Sequence, residues 1–314
     1  MDQLDELVRL VVHRSSRLSA PTTQPRRTPR SIARGLKRRV GTLVDVFNSR
    51  WTRRVKPPWT SNPKVDHVRC VICGWRGDAF EGGGHAESST CLRCGSVARD
   101  RFLIHCFAAR VPYRRGLRLI ETSPRLGVRY RTAMARWFDY TASDFDERHH
   151  KGVVRLDLQD IDLPSDSVDV VLTPHVLEHV PDTDRAIAEL FRVVAPGGCV
   201  VLQVPILQGT TAAPVEPEFH GDDTPVFWRF GFDLTERLRS HGFAVELLCT
   251  DELLSHVKDG TKHWPGPVSG EFDVDDMLAA AIAADLTSVA DAAVAERHGF
   301  EPGYMFLTWV CRKT

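Results

Sequence analysis

Long apolar runs are missing from this 314-residue sequence. None approaches the roughly 20 residues that a membrane-spanning helix needs, so no membrane span is expected. No secretory leader is expected either. The chain opens Met1-Asp2-Gln3-Leu4-Asp5-Glu6, acidic residues with no apolar core behind them. The expectation is a soluble, cytoplasmic protein. There is no internal repeat and no net charge, since 41 Lys and Arg face 41 Asp and Glu. That balance conceals an asymmetry: residues 1–64 hold 15 basic and 4 acidic residues, net +11, which leaves the remainder at net −11. A basic arm on an acidic body binds RNA or anionic lipid, or folds back on its own body. Its Pro-, Ser- and Arg-rich composition reads first as a solvated, partly disordered leader.

What is present divides the chain into three. Residues 1–64 form the basic arm, with a short amphipathic helix expected over 4–18 and a proline-rich linker over 19–32. Residues 65–110 hold a short, turn-rich, cysteine-containing segment and a connecting helix over 97–110. From 111 to 314 strands alternate with helices. Strands are expected at 117–122, 140–143, 153–156, 168–173, 199–204, 243–249 and 304–311. Helices are expected at 125–137, 183–194 and 234–241. That alternation implies an α/β fold, a largely parallel sheet with helices on both faces. The stretch 250–303 is long for a connection between the last two strands. It reads as an insertion carrying one Ala-rich helix near 274–296.

Four of the eight cysteines fall in two Cys-x2-Cys-Gly units, Cys70–Cys73 and Cys91–Cys94, separated by 17 residues. With no leader expected, clustered pairs point to metal before disulfides. Each pair sets two thiolates on one tight turn, and the following glycine lets that turn close. Two such turns make the tetrahedral four-sulfur shell that Zn2+ prefers, a zinc ribbon. Four protein ligands leave no position for water or substrate, so the expected role is structural. His85, between the pairs, reads as a loop residue.

The most specific stretch is Asp166-Ser-Val-Asp-Val-Val-Leu-Thr-Pro-His175-Val-Leu-Glu178-His179-Val-Pro-Asp182, leading to Glu189-Leu-Phe-Arg-Val-Val-Ala-Pro-Gly-Gly198 and Val204-Pro205. It resembles the fourth strand, following helix and fifth strand of class I S-adenosylmethionine (SAM) dependent methyltransferases of the type 11 group. Upstream, the two cysteine pairs, Arg99-x-Arg101 and a strand entering Glu121-Thr-Ser-Pro are similar to a bacterial subgroup with an N-terminal zinc ribbon. The resemblance spans about 70 to 250. It implies a Rossmann-like seven-strand methyltransferase sheet behind the ribbon, with SAM as cofactor. The usual glycine-rich first loop is reduced to Glu121-Thr-Ser-Pro-Arg-Leu-Gly127, in which only Gly127 remains.

The resemblance also implies the site. Glu121 and Ser123 stand in the first loop. Asp144, ending the second strand, accepts hydrogen bonds from ribose hydroxyls. Asp157 and Leu158, at the third strand end, lie by the adenine. His175, just beyond the fourth strand, is the expected cofactor contact and general base. His175, Glu178 and His179, spaced i, i+3, i+4, share one helical face and read as a hydrogen-bonded network in preference to a second metal site. The expected function is methyl transfer to a small-molecule or sugar acceptor. Two alternatives stand beside it: an RNA-modifying methyltransferase gripping nucleic acid through ribbon and arm, and a binding protein that kept the fold and lost catalysis.

Overall fold

In the computed structural model the described residues are 68–82, 89–146, 152–206, 208–220, 223–260, 274–300 and 307–314. The arm with its expected helix, and His85, lie outside them. In chain order the elements are β1 (Val68–Arg69), β2 (Arg76–Gly77), α1 (Ala98–Arg110), β3 (Arg118–Thr122), α2 (Val128–Trp137), β4 (Asp139–Asp144), β5 (Val154–Arg155) and β6 (Val168–Pro174). After a 3-10 turn at Leu177–His179 come α3 (Thr183–Val193), β7 (Val194–Gln203), β8 (Glu218–Phe219), β9 (Pro225–Val226), α4 (Leu234–Ser240) and β10 (Ala244–Thr250). The chain then makes α5 (Asp251–Lys258), α6 (Val274–Ala283), β11 (Leu286–Ala290), α7 (Ala292–His298) and β12 (Thr308–Arg312).

The main sheet has eight strands in the order β11-β10-β12-β7-β6-β3-β4-β5. β12 runs antiparallel to both β7 and β10, and every other pairing in the sheet is parallel. β3 to β7 with β10 and β12 make the seven-strand Rossmann-like sheet, and β11 adds an eighth strand beside β10. Both faces are covered. On one, Val171 and Leu202 of the strands pack with Ile187 and Leu190 of α3, Leu234 of α4 and Leu253 of α5. On the other, Leu172 and Val201 pack with Phe102 and Cys106 of α1 and Met134 of α2. This two-sided burial explains why β6 and β7 read as nearly continuous apolar runs.

The Ala-rich segment departs from expectation. One helix near 274–296 is replaced by α6, β11 and α7. Asp285 takes a positive φ of 53°, which ends the first helix. Leu286-Thr-Ser-Val-Ala290 then pairs with β10, where Thr287 and Val289 suit an extended chain better than a helix. Asp291 restarts the helix by accepting the Val294 N–H at 2.7 Å. β7 likewise starts earlier than the expected residue 199: Ala195–Gly198 bulge out between the Val168–Val194 and Val170–Cys199 pairs. Gly198 is required there, since a Cβ would lie 2.6 Å from the Asp169 carbonyl oxygen.

Candidate active site and four-cysteine cluster

The direction of strand order reverses between β3 and β6, so a crevice opens at their C-terminal tips, where open α/β sheets bind ligands. Two non-glycine residues hold positive φ there, Ser123 at 44° after β3 and His175 at 51° after β6. Such backbone costs about 1–3 kcal/mol per residue and gathers at functional sites. The Ser123 N–H donates to Ser143 O at 2.7 Å, tying the first loop to β4.

Glu121 is buried, and its carboxylate accepts from Tyr140 Oη at 2.6 Å and Tyr130 Oη at 3.3 Å. Burial pushes its pKa up to about 7 against the pull of the two hydroxyls. Pro124 and Leu126 fold inward while Arg125 stays exposed. Because Pro124-Arg125-Leu126 is spent on this loop, α2 starts at Val128, with Gly127 as its N-cap, instead of at 125. Beside Glu121 lies a small hollow of about 10 Å³, walled by Asp100, Leu103 and Ile104 of α1, with Arg125, Tyr130 and Pro174. That is room for about one water.

Asp144 is buried at the tip of β4, and its Oδ1 accepts the Asp146 N–H at 3.0 Å. The neighbouring Phe145 side chain is 61% exposed, with the Arg155 guanidinium 5.8 Å over its ring. Asp157 Oδ1 accepts the Gln159 N–H at 2.9 Å, closing a local turn. The Leu158 side chain sits in the hydrophobic core.

His175 is buried beneath the tip of β6. Its backbone N–H donates to Gln203 O at 2.6 Å, and its Nε2 lies 3.1 Å from Gln203 Oε1. Its Nδ1 is 3.6 Å from Glu178 Oε1, and His179 Nε2 is 3.9 Å from the same oxygen. Burial lowers the His175 pKa. The hydrogen-bonded network expected here is incomplete, because both Glu178 oxygens are buried without a hydrogen-bond partner.

The four cysteines do come together. Their sulfurs all lie within 4.8 Å of one another, with Cys70–Cys94 at 3.7 Å and Cys73–Cys91 at 3.6 Å. A tetrahedral ion bound at about 2.3 Å from each sulfur sets sulfurs about 3.8 Å apart, so the geometry fits a metal. Gly74 and Gly95, at φ 68° and 76°, donate back to Cys70 O and Cys91 O at 2.9 Å and close the two turns. The Cys73 thiol, then those of Cys91 and Cys94, hold Cys70 well below the ordinary thiol value.

Arg101, one turn into α1, is fully buried behind the cluster. Its guanidinium donates to His298 O at 2.7 Å, Ser96 O at 2.7 Å, Ser89 O at 2.9 Å, Gly299 O at 2.9 Å and Ser89 Oγ at 3.3 Å. It also stacks 3.7 Å over the Phe80 ring. One side chain therefore fastens the cysteine segment to α1 and to the end of α7. Sequence reading missed this role, along with those of Tyr130, Tyr140 and Gln203. Only the Cys-Gly-Ser-x-x-Arg-x-Arg phrase flagged Arg101.

Part of the chain is similar to known methyltransferases. Residues 127–202, from the cap of α2 into β7, match a type 11 family model described as "Methyltransferase domain". A protein of Mycolicibacterium smegmatis named "Probable S-adenosylmethionine-dependent methyltransferase" is 35% identical over 92 residues, 28% of this chain and 34% of that one. The match thus spans about a third of the curated relative. Among solved structures, a SAM-dependent methyltransferase of Mesorhizobium loti is 18% identical, covering 69% of this chain and 99% of that one, with a TM-score of 0.41. A Haemonchus contortus phosphoethanolamine N-methyltransferase 2, solved with SAM, is 15% identical, covering 72% and 54%, with a TM-score of 0.41. Residues 127–202 are thus similar to a methyltransferase domain of the type 11 group, and they lie in a Rossmann-like sheet behind a four-cysteine cluster.

Proposed function

We propose that the protein is a SAM-dependent methyltransferase acting on a small-molecule or sugar acceptor, with one structural Zn2+ held by Cys70, Cys73, Cys91 and Cys94. The observation that carries the cofactor reading is at the tip of β4. There Asp144 places a buried carboxylate for ribose hydroxyls beside the largely exposed Phe145 side chain, an acceptor next to an apolar group, as a nucleoside requires. Asp157 edges the adenine end, while Leu158, expected there, packs into the core instead. Glu121, Ser123 and His175 edge the methionine end. Bound SAM supplies an activated methyl group on a sulfonium. The residues around it contribute alignment and exclusion of water, which account for much of the acceleration in an in-line displacement. His175 acts on the acceptor side, as the base where the acceptor is a hydroxyl. The test is calorimetric titration of the full chain with SAM and with S-adenosylhomocysteine. Saturable binding that Asp144→Ala weakens about tenfold or more, the loss of two charge-assisted hydrogen bonds, is the expected result. No heat with either ligand overturns it.

A second reading has one observation in its favour. Glu121 is capped by two tyrosines and the adjoining hollow holds only about 10 Å³, which favours a fold kept without its chemistry. Absence of cofactor binding in the same titration selects this reading.

A further inference from the structure

The four clustered sulfurs fall into two close pairs, and each pair crosses from one turn to the other. Cys70 Sγ lies 3.7 Å from Cys94 Sγ, and Cys73 Sγ lies 3.6 Å from Cys91 Sγ. Each distance is about 1.6 Å longer than a disulfide bond. Burial differs within each pair. Cys70 and Cys91 are buried, at 0% and 1% exposure, whereas Cys73 and Cys94 are half-buried. Each pair therefore joins one sulfur that a small solute reaches to one that it does not. Inside each turn, the Gly74 and Gly95 N–H groups hold Cys70 O and Cys91 O at 2.9 Å. A bridge within a turn would have to form inside a ring that is already closed.

The charge around the cluster suits nucleophilic sulfur. With zinc bound, all four cysteines are thiolates. Arg101 behind them adds a positive charge that favours the thiolates of Cys70, Cys91 and Cys94. The other cysteines are placed the opposite way. Cys106, Cys199, Cys249 and Cys311 are buried in the core. Burial pushes the thiols of Cys199 and Cys249 up to about 11 and about 12, and it raises those of Cys106 and Cys311 as well. A neutral, shielded thiol is a poor nucleophile, so an oxidant is consumed at the cluster first.

We propose that the four cysteines are also a peroxide-reactive site, in which Cys73 and Cys94 take the oxidant and Cys91 and Cys70 close the disulfides Cys73–Cys91 and Cys70–Cys94. The Cys73 thiolate attacks one oxygen of hydrogen peroxide. The O–O bond breaks, hydroxide leaves, and the sulfur becomes a sulfenic acid. The Cys91 thiolate then attacks that sulfur. The S–O bond breaks, a second hydroxide leaves, and the S–S bond forms. Two thiolates give up two electrons, and one peroxide is reduced to two hydroxides. Cys94 and Cys70 do the same with a second peroxide. Sulfurs spent in disulfides no longer hold zinc, so the ion is released. The two bridges join the same turns that the metal joins, which keeps the Arg101 anchorage to Ser89 and Ser96. The proposal rests on the reading of these cysteines as a metal-holding set, and it is independent of SAM.

The full chain, loaded with zinc and freed of reductant, is treated with stepwise additions of hydrogen peroxide. Zinc release is followed with a coloured chelator, the first sulfenic acid is trapped with dimedone, and the bridges are mapped by mass spectrometry without reduction. Trypsin cuts after Arg93, which separates Cys91 from Cys94, and fragmentation between Cys70 and Cys73 assigns their partners. Dimedone is expected on Cys73 and Cys94 about tenfold or more over Cys70 and Cys91, following their exposure. Zinc is expected to leave as the bridges Cys73–Cys91 and Cys70–Cys94 form. Three results overturn the proposal: any other pairing of the four cysteines, dimedone first on Cys70 or Cys91, or a cluster left intact by millimolar peroxide. A chain that binds no zinc fails the zinc reading alone, and its map of bridges still decides this one.

Discussion

Replacing Arg101 tests how the cysteine segment is joined to the sheet. The guanidinium makes five hydrogen bonds, four to backbone carbonyls that lie in three separate stretches, at Ser89, Ser96 and 298–299. Arg101→Met keeps much of the volume and removes every donor. Each buried acceptor left without a partner costs about 1–3 kcal/mol, and these costs do not add fully. The variant is also relieved of burying a charge, which offsets part of the loss. Removing one side of a buried ionic group typically costs about 3–5 kcal/mol, and about 4 kcal/mol is expected here. At about 2–4 °C per kcal/mol for a domain of 150–250 residues, the melting temperature should fall by about 10 °C. Arg101→Lys should recover only part of this, because an ammonium cannot reach five acceptors in three directions. The cysteine charges favour the guanidinium, so its loss should also hasten metal release, read with a coloured chelator. A melting temperature for Arg101→Met within about 2 °C of the parent would refute the reasoning.

Glu121 should make stability pH-dependent in an unusual direction. Its pKa is about 7 in the fold against an ordinary 4.5, so the native state holds the proton more tightly than the unfolded chain. Stability therefore falls as pH rises from about 4.5 through about 7. Denaturant melts at pH 5 and 8 should show this fall in the parent and a smaller one in Glu121→Gln; equal falls remove Glu121 as the source. Gly299→Ala should destabilise by about 2 kcal/mol or more, since residue 299 has φ +60° and its Cβ would lie 2.4 Å from the Phe80 ring. Urea unfolding measures this, and a shift below about 0.5 kcal/mol would show that the Phe80 ring yields freely.

The α/β architecture was legible because β6 and β7 are buried on both sides and their apolar runs stand out. The cysteine pairs were legible because metal ligands keep a short local spacing. What escaped is non-local or is a choice between two states of similar sequence. Tyr130 and Tyr140 meet Glu121 only after β3 and β4 pair, so no window of sequence shows the cap. Segment 286–290 lies among alanines, and only its pairing with β10 makes it a strand. The approach of His175 and His179 to one carboxylate was visible as a spacing. Which nitrogens face it depends on Gln203 and Pro225, which lie 28 and 46 residues away.

β11 has a consequence for how copies of this protein meet. Without it, β10 would be the sheet margin, a seven-residue strand with half of its backbone donors and acceptors unpaired. Such a margin invites strand addition from a neighbouring molecule and the aggregation that follows. β11 takes those groups in parallel register, and at the far margin β5 is only two residues long. The insertion thus works as a guard rail, and trimming 286–290 to shorten the protein would trade length for self-association.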